Sequence, residues 1–277
     1  MLLSNQATPV GPLLRAWRTA RKKSQLALAS EAGISSRHLS FLETGRSSPS
    51  RDMVLTLAET LSVPLRERNK LLEAAGFAPA YRETPLDAAP MAEVRSALAH
   101  ILAASEPNPS FVVNGRYDVL LTNDAGLRLL AYFAPRWRGR NNMLLMVLSD
   151  EGLKPALENW AEVAAKVVRR VRGELALAGQ DLDAADDAIL RSTIEVEAEL
   201  EHALPREAQP PAILVPVKLR REGGLRLEMF TTITTVGTPL DITLQELRIE
   251  TLFPATPEAR GALAEVMRAE SADAHGE

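Results

Sequence analysis

Gly33 and Gly45, with the serines Ser24, Ser35 and Ser50, constrain this chain more than any other feature. In SQLALASEAGISSRHLSFLETGRSSPS, Ser24 stands as an N-cap before a short predicted helix over residues 25–32, which buries Leu28 and Ala29. Gly33 ends that helix, because glycine tolerates the left-handed backbone at a helix end. Ile34 fills the corner. Ser35 caps the next helix, over residues 36–44, and Gly45 ends it. Two short helices joined through a glycine turn form a helix-turn-helix.

Three more helices are predicted around this pair. Gly11-Pro12 opens one that runs to about residue 22, with Leu13, Leu14 and Trp17 as its apolar stripe and Arg15, Arg18 and Arg21 largely on the other side. Ser50 caps a helix over residues 51–61, and another over residues 65–75 ends at Gly76. Within the helix over 36–44, Leu39 and Leu42 are core residues by spacing, and Ser36, Arg37, Ser40 and Phe41 lie on or near the opposite side. Phe41 is out of phase with the core stripe and is expected to face outward unless something covers it. DNA is one such cover: an aromatic ring packs on a thymine methyl, and an arginine such as Arg37 donates two hydrogen bonds to a guanine edge. The competing reading is that Phe41 packs on the fourth helix and Arg37 is a solvated charge. The residues alone leave both open.

Charge supports a polyanion as partner. Residues 1–80 hold 11 Lys/Arg and 6 Asp/Glu, whereas the whole chain of 277 residues carries −4. A basic head on an acidic body points to nucleic acid meeting the head alone. At roughly 100–200 residues per domain, the length favours two domains. No apolar run reaches the ~20 residues that span a bilayer. The first apolar segment is short and basic residues come after it, so a signal peptide is not expected. The chain has no cysteine, which excludes disulfides and thiol catalysis, and a cytoplasmic location is expected.

The stretch over residues 24–50 resembles the XRE (Cro/C1-type) helix-turn-helix family. The matching residues are Gln25, Ala29, Gly33, Ile34, Ser35, Leu39, Leu42-Glu43, Gly45-Arg46 and Pro49-Ser50. The resemblance implies DNA binding with the third helix in the major groove. It implies that Ser36, Arg37, Ser40 and Phe41 meet bases, and that Gln25, Arg18 and Arg46 meet phosphates; Ser47 and Arg51 are further phosphate candidates by their place in the loop. Ser40 and Phe41 depart from the long polar residues of the phage-repressor pattern. Free amides at a helix N-terminus favour a phosphate near Gln25. Arg46, Ser47, Ser48 and Arg51 cluster in the loop after the third helix. Such contacts position a protein, while base contacts specify sequence. Proteins of this type bind as dimers on half-sites a helical turn apart, so a homodimer held by the body is expected.

Residues 78–90 are rich in proline and alanine and read as a linker. Residues 91–104 read as a short helix with Val94, Leu98, Ile101 and Leu102 on its stripe. The expected domains are a head over 1–80, a linker with its helix over 81–108, a sensing and dimerisation domain over 109–270, and a disordered tail over 271–277. In FVVNGRYDVLLTN, Asn114-Gly115 predicts a β-hairpin with a tight primed turn. Asn123-Asp124 caps the helix after it. Longer helices are predicted over 153–178, where Trp160, Val163, Ala164, Val167 and Val171 recur at helical spacing, and over 183–204. Glu195, Glu197, Glu199 and Glu201 spread around the latter and read as a solvated face, not a metal site. Three strands come next. Ile213, Val215, Val217 and Leu219 share a face of the first, and Pro216 points to an edge position. Gly223-Gly224 turns into the second, where Leu225, Leu227, Met229 and Ile233 share a face. The third spans 240–253, and its change of phase between Leu244 and Leu247 predicts a β-bulge near Gln245-Glu246. A helix over 257–267 closes the domain.

The expected fold is multi-domain: an all-α five-helix head, then an α+β domain with one mostly antiparallel five-stranded sheet. Five strands with helices between the second and third also describe a PAS-like sensor. NPSFVVNGRYDVLLTNDAGLRLL resembles the opening of the MmyB-like ligand-binding domain, which is joined to an XRE head in a family of bacterial regulators. GTPLDITLQELRIETLFP departs from that family's usual ending. The resemblance implies a lipophilic ligand such as a fatty acid or acyl derivative.

No glycine-rich phosphate loop, HExxH or nucleophile elbow occurs, so an enzyme is not expected. His38, His100, His202 and His275 lack metal-ligand spacing, and neither a metal nor a cofactor is expected. A mostly apolar pocket fits better. Its candidate lining is Phe111, Val113, Leu120, Met146, Trp160, Leu227, Met229 and Phe230, with Arg169 or Arg226 to pair with a carboxylate. Any α+β core would bury the same apolar residues, and periodicity does not separate core from pocket. The rival reading makes the body a dimerisation or protein-interaction module without ligand.

Overall fold

The structure, a computed structural model, describes residues 9–177, 195, 196, 199, 200, 216–221, 224–237 and 239–269. It forms two compact units. The first holds residues 9–83 with residues 173–177 and 239–245; the second holds the rest of the described chain.

The first unit is built from five helices: α1 (Val10–Ala20), α2 (Gln25–Glu31), α3 (Ser36–Glu43), α4 (Arg51–Thr60) and α5 (Leu65–Ala74). The serine caps form as the sequence predicts. Ser24, Ser35 and Ser50 accept the amides of Ala27, His38 and Met53 at 3.1, 3.1 and 3.2 Å. The glycine ends form too. Gly33, Gly45 and Gly76 have φ of 69°, 73° and 84°. After α3, the Arg46 amide reaches back to the Phe41 carbonyl at 2.8 Å and Gly45 to Leu42 at 3.2 Å, the reverse turn that satisfies the last free carbonyls. The ends of α1 and α4 make the same turn without glycine, with φ of 54° at Lys22 and 51° at Ser62. The core that results includes Leu14, Trp17, Leu28, Leu39, Leu42, Leu57, Leu71 and Leu72. Gly11 permits its closest approach: a Cβ there would lie 2.5 Å from the Leu42 carbonyl oxygen, so α1 crosses the end of α3 only without a side chain at this position.

Part of the proline- and alanine-rich segment is fixed to α5. Asn69 accepts the amides of Ala80 and Tyr81 at 2.9 and 3.1 Å and donates to the Tyr81 carbonyl at 2.8 Å. The start of α5 comes after Pro64, whose side chain offers no cap. The Leu65 amide instead donates to Gln245 Oε1 at 2.6 Å, from a residue 180 positions away. Nearby, the Ile242 amide donates to the Arg82 carbonyl at 2.9 Å.

The second unit begins with α6 (Ala92–Ala104) and contains β1 (Ser110–Val113), β2 (Val119–Thr122), α7 (Asp124–Phe133), α8 (Met143–Leu148), α9 (Trp160–Leu177, whose last turn belongs to the first unit), β3 (Val217–Arg220) and β4 (Arg226–Thr235). A short helix α10 (Ile242–Glu246), strand β5 (Arg248–Pro254) and helix α11 (Pro257–Arg268) complete the described chain. The strands form one sheet in the order β2-β1-β5-β4-β3, antiparallel throughout. This is the α+β domain with a five-stranded sheet that the sequence predicts. Leu219, Leu227 and Met229 share one face and pack with Leu129 of α7, Val163 of α9 and Leu263 of α11. Pro216 precedes β3, which is indeed an edge strand. That edge is covered by residues 157–159: the Glu158 amide donates to the Lys218 carbonyl at 2.9 Å, and the Lys218 amide donates to Asn159 Oδ1 at 3.1 Å.

Several expectations are corrected. The Asn114-Gly115 connection is not a two-residue primed turn. Residues 114–118 form a longer loop, in which Asn114 Oδ1 accepts the amides of Arg116 and Asp118 at 2.9 Å each, and Tyr117 takes positive φ (64°). No bulge forms at Gln245-Glu246. Asp241 Oδ1 accepts the Thr243 amide at 2.9 Å and starts α10, so a helical turn absorbs the change of phase. The helix expected from residue 153 starts at Trp160, because residues 157–159 serve the edge of β3. The helix expected over 183–204, apart from residues 195, 196, 199 and 200, lies outside the described residues, as do Ile213, Val215, Gly223 and the tail.

Candidate nucleic-acid interface

The serine cap and the glycine end fix α3 at both termini, and its register is set by Leu39 and Leu42, both buried. Two faces result. The inner face lies in the core. The outer face carries Ser36 and Arg37, exposed, with Ser40 and Phe41 half-buried. Phe41 is neither in the core of this unit nor among the apolar side chains packed against it. Its ring is flanked by two cations, with Arg37 Cζ 5.4 Å and Arg46 Cζ 6.0 Å from the ring centroid. Arg46 and Arg51 are exposed and Ser47 is half-buried, all in or just after the loop that succeeds α3. The base-reading candidates therefore share one side of one helix, and three of the phosphate candidates flank its end.

The other two phosphate candidates are employed differently. Arg18 and Gln25 converge on Glu43, the last residue of α3. Arg18 donates from Nε at 2.6 Å and from Nη2 at 3.0 Å, and Gln25 Nε2 donates at 2.8 Å. Arg18 Nη1 also donates to the Lys23 carbonyl at 2.8 Å. The Glu43 side chain is 1% exposed and that of Arg18 13%. Burial alone would push the Glu43 carboxyl up. Hydrogen bonds from Arg18 and Gln25, with the charges of Arg18 and Arg15, outweigh it and hold the carboxyl below its usual range. The cluster locks α1, α2 and α3 together, so Arg18 and Gln25 act as ties within the head. Sequence reasoning noted Glu43 only as part of a motif. An acidic residue between Leu42 and Thr44, one position from the buried stripe, was the signal available for its role.

A family model described as an MmyB-like transcription regulator ligand-binding domain matches residues 94–266, and a helix-turn-helix model matches residues 14–68. The chain belongs to the MmyB-like transcription regulators. Comparison with curated proteins returned no match. As a member of that family the chain is a DNA-binding transcription regulator, and its second unit is a ligand-binding domain by descent. Among the described residues, no helix is long and apolar enough to cross a membrane.

The candidate ligand residues of this MmyB-like regulator do not form one lining. Phe111, Val113, Leu227 and Met229 point to the helix-covered face of the sheet, as their alternation and register require. Phe230 comes directly after Met229 and so points to the opposite face, where it stacks on Phe253 with centroids 5.5 Å apart. Strict alternation along β4 was enough to separate it from Leu227 and Met229. Met146 is buried on α8, Leu120 is exposed, and Trp160 is half-buried with its Nε1 donating to the Val147 carbonyl at 3.2 Å. Arg226 lies on the outer face and is paired to Glu158 at 2.8 Å, while Arg169 is exposed. Neither reaches the inner face. Arg170, one residue on, does: its Nη1 lies 2.9 Å from Glu250 Oε1, which shares that face with Phe111.

Proposed function

We propose that this regulator binds duplex DNA as a homodimer with α3 in the major groove, and that its second unit binds a small lipophilic ligand such as a fatty acid or acyl derivative. The observation that carries the DNA part is the outer side of α3, where Arg37 and Phe41 stand clear of the core with Arg46 beside them. Arg37 is the base reader in this reading, with Ser36 and Ser40 beside it. Arg46, Ser47 and Arg51 meet phosphates. Arg18 and Gln25 support the helix through Glu43. The ligand part is supported by the family match and by helices α7, α8 and α9 falling between the second and third strands, the arrangement of a PAS-like sensor. In this reading, ligand state in the second unit alters the DNA affinity of the first. Such coupling requires the ligand to prefer one conformation over another.

A second reading has its own support: Leu227 and Met229 already lie in the packed core, as expected of a dimerisation module without ligand. Native mass spectrometry of the purified chain distinguishes the two. A dimer carrying a co-purified acyl-chain mass supports the first; a dimer that never carries one, even after incubation with palmitate, supports the second. For the head, duplexes are selected from random DNA by the wild-type chain. Arg37→Ala is expected to weaken the selected duplex by ~1–3 kcal/mol, with the loss concentrated at one base pair per half-site. Equal loss on selected and random duplexes would remove Arg37 from base reading.

A further inference from the structure

We propose that Phe41 is a positioning residue, a ring platform that holds Arg37 and Arg46 ready for DNA instead of reading a base itself. The inference rests on the DNA-binding reading above and changes the part Phe41 plays in it. Three observations carry it. The ring is half-buried but belongs neither to the core nor to the apolar side chains packed against it, so core packing does not explain an aromatic there. Both guanidiniums lie over it, at 5.4 and 6.0 Å, within the range in which a cation is held by the ring's negative face. The same residue also fixes the backbone of the next loop, since its carbonyl accepts the amides of Arg46 at 2.8 Å and Ser47 at 3.2 Å.

The geometry is a consequence of the helix. Arg37 and Phe41 are four residues apart and so stand on one face. The turn at Gly45 brings the chain back, placing Arg46 against the same ring. A long arginine loses rotamer freedom when it docks, and holding it beforehand lessens that loss. A thymine methyl would compete with the two guanidiniums for the ring. The ring therefore orients one cation toward a base edge and the other toward a phosphate.

Leucine and tyrosine at position 41 separate the two roles. Leucine keeps an apolar group for a thymine methyl but has no ring; tyrosine keeps the ring. On the duplex selected by the wild-type chain, Phe41→Leu is expected to bind about 5- to 30-fold more weakly, the sum of two exposed cation–ring contacts. Its discrimination at the Arg37 base pair should narrow. Phe41→Tyr should stay within about 2-fold of wild type, since the face of the ring is retained. Arg37→Gln should also matter less in the Phe41→Leu background than in the wild type, because the two side chains act as one unit. Amide exchange along α3 checks that each variant is folded; Phe41→Met replaces the leucine variant if protection is lost. Wild-type affinity in the ringless variant, an equal loss in the tyrosine variant, or independent effects of Arg37 and Phe41 would each overturn the proposal. If the wild-type chain enriches no sequence from random DNA, the DNA-binding reading itself fails.

Discussion

Replacing Glu43 by glutamine tests the arrangement on which the DNA-facing helix depends. The Glu43 carboxylate accepts two hydrogen bonds from Arg18 and one from Gln25, and its side chain is 1% exposed. Removing one partner of a buried ion pair costs about 3–5 kcal/mol, because the remaining charge is left in a poor solvent. The loss here is smaller. Glutamine keeps one acceptor oxygen, and Arg18 retains the Lys23 carbonyl and a side chain 13% exposed. The new amide group, however, faces at least one donor: with the carbonyl oxygen kept where Arg18 Nη2 and Gln25 Nε2 donate, the NH2 meets Arg18 Nε. About 2–3 kcal/mol is therefore expected, less than removal of the whole carboxylate. Native-state hydrogen exchange on the full chain reads this directly. The amides of Leu39 and Leu42 should exchange about 30- to 150-fold faster in the variant, at 1.4 kcal/mol per factor of ten. Acidity provides a second arm with a defined sign. The folded pKa of Glu43 is depressed, so its contribution is fully present above the unfolded value near ~4.3 and is lost as pH falls through the folded value. The wild type and Glu43→Gln should converge in stability below both. Unchanged protection of α3, with a steeper salt dependence of DNA binding, would show that Arg18 had been waiting for a phosphate, and the reasoning would fail.

Other positions give sharper local tests. A Cβ at Gly45 would meet nothing within 4 Å, so Gly45→Ala should cost only the left-handed backbone, about 1–2 kcal/mol in thermal or urea unfolding. Gly11→Ala should cost more despite an ordinary backbone, because its Cβ would lie 2.5 Å from the Leu42 carbonyl. Gln245→Ala should release the Leu65 amide and destabilise the start of α5 by about 1 kcal/mol, seen as faster exchange of that amide in the full chain. Arg46→Ala should weaken binding to all duplexes and lower the slope of log K against log salt by about one unit; an unchanged slope would remove the phosphate contact.

The sequence by itself determined the five helices of the head and most of their ends. A serine cap acts over three residues and a glycine turn over five, so both signals lie inside the segment they shape. It also determined the side of α3 that carries Arg37 and Phe41, because helical spacing fixes which residues face away from Leu39 and Leu42. Alternation did the same for β4, although Phe230 had to be counted strictly to fall on the outer face. Tertiary structure alone decided the rest. Lys22 and Ser62 end helices in the left-handed region without glycine, in turns closed by the Lys23 amide on the Arg18 carbonyl and the Val63 amide on the Ala58 carbonyl. Arg18 and Gln25 turned inward to Glu43 across 25 and 18 residues, and Gln245 capped α5 across 180. A charged or amide side chain can serve water, DNA or another side chain equally well. Which one it serves depends on the groups that the folded chain brings within hydrogen-bonding reach, and no local pattern records that distance.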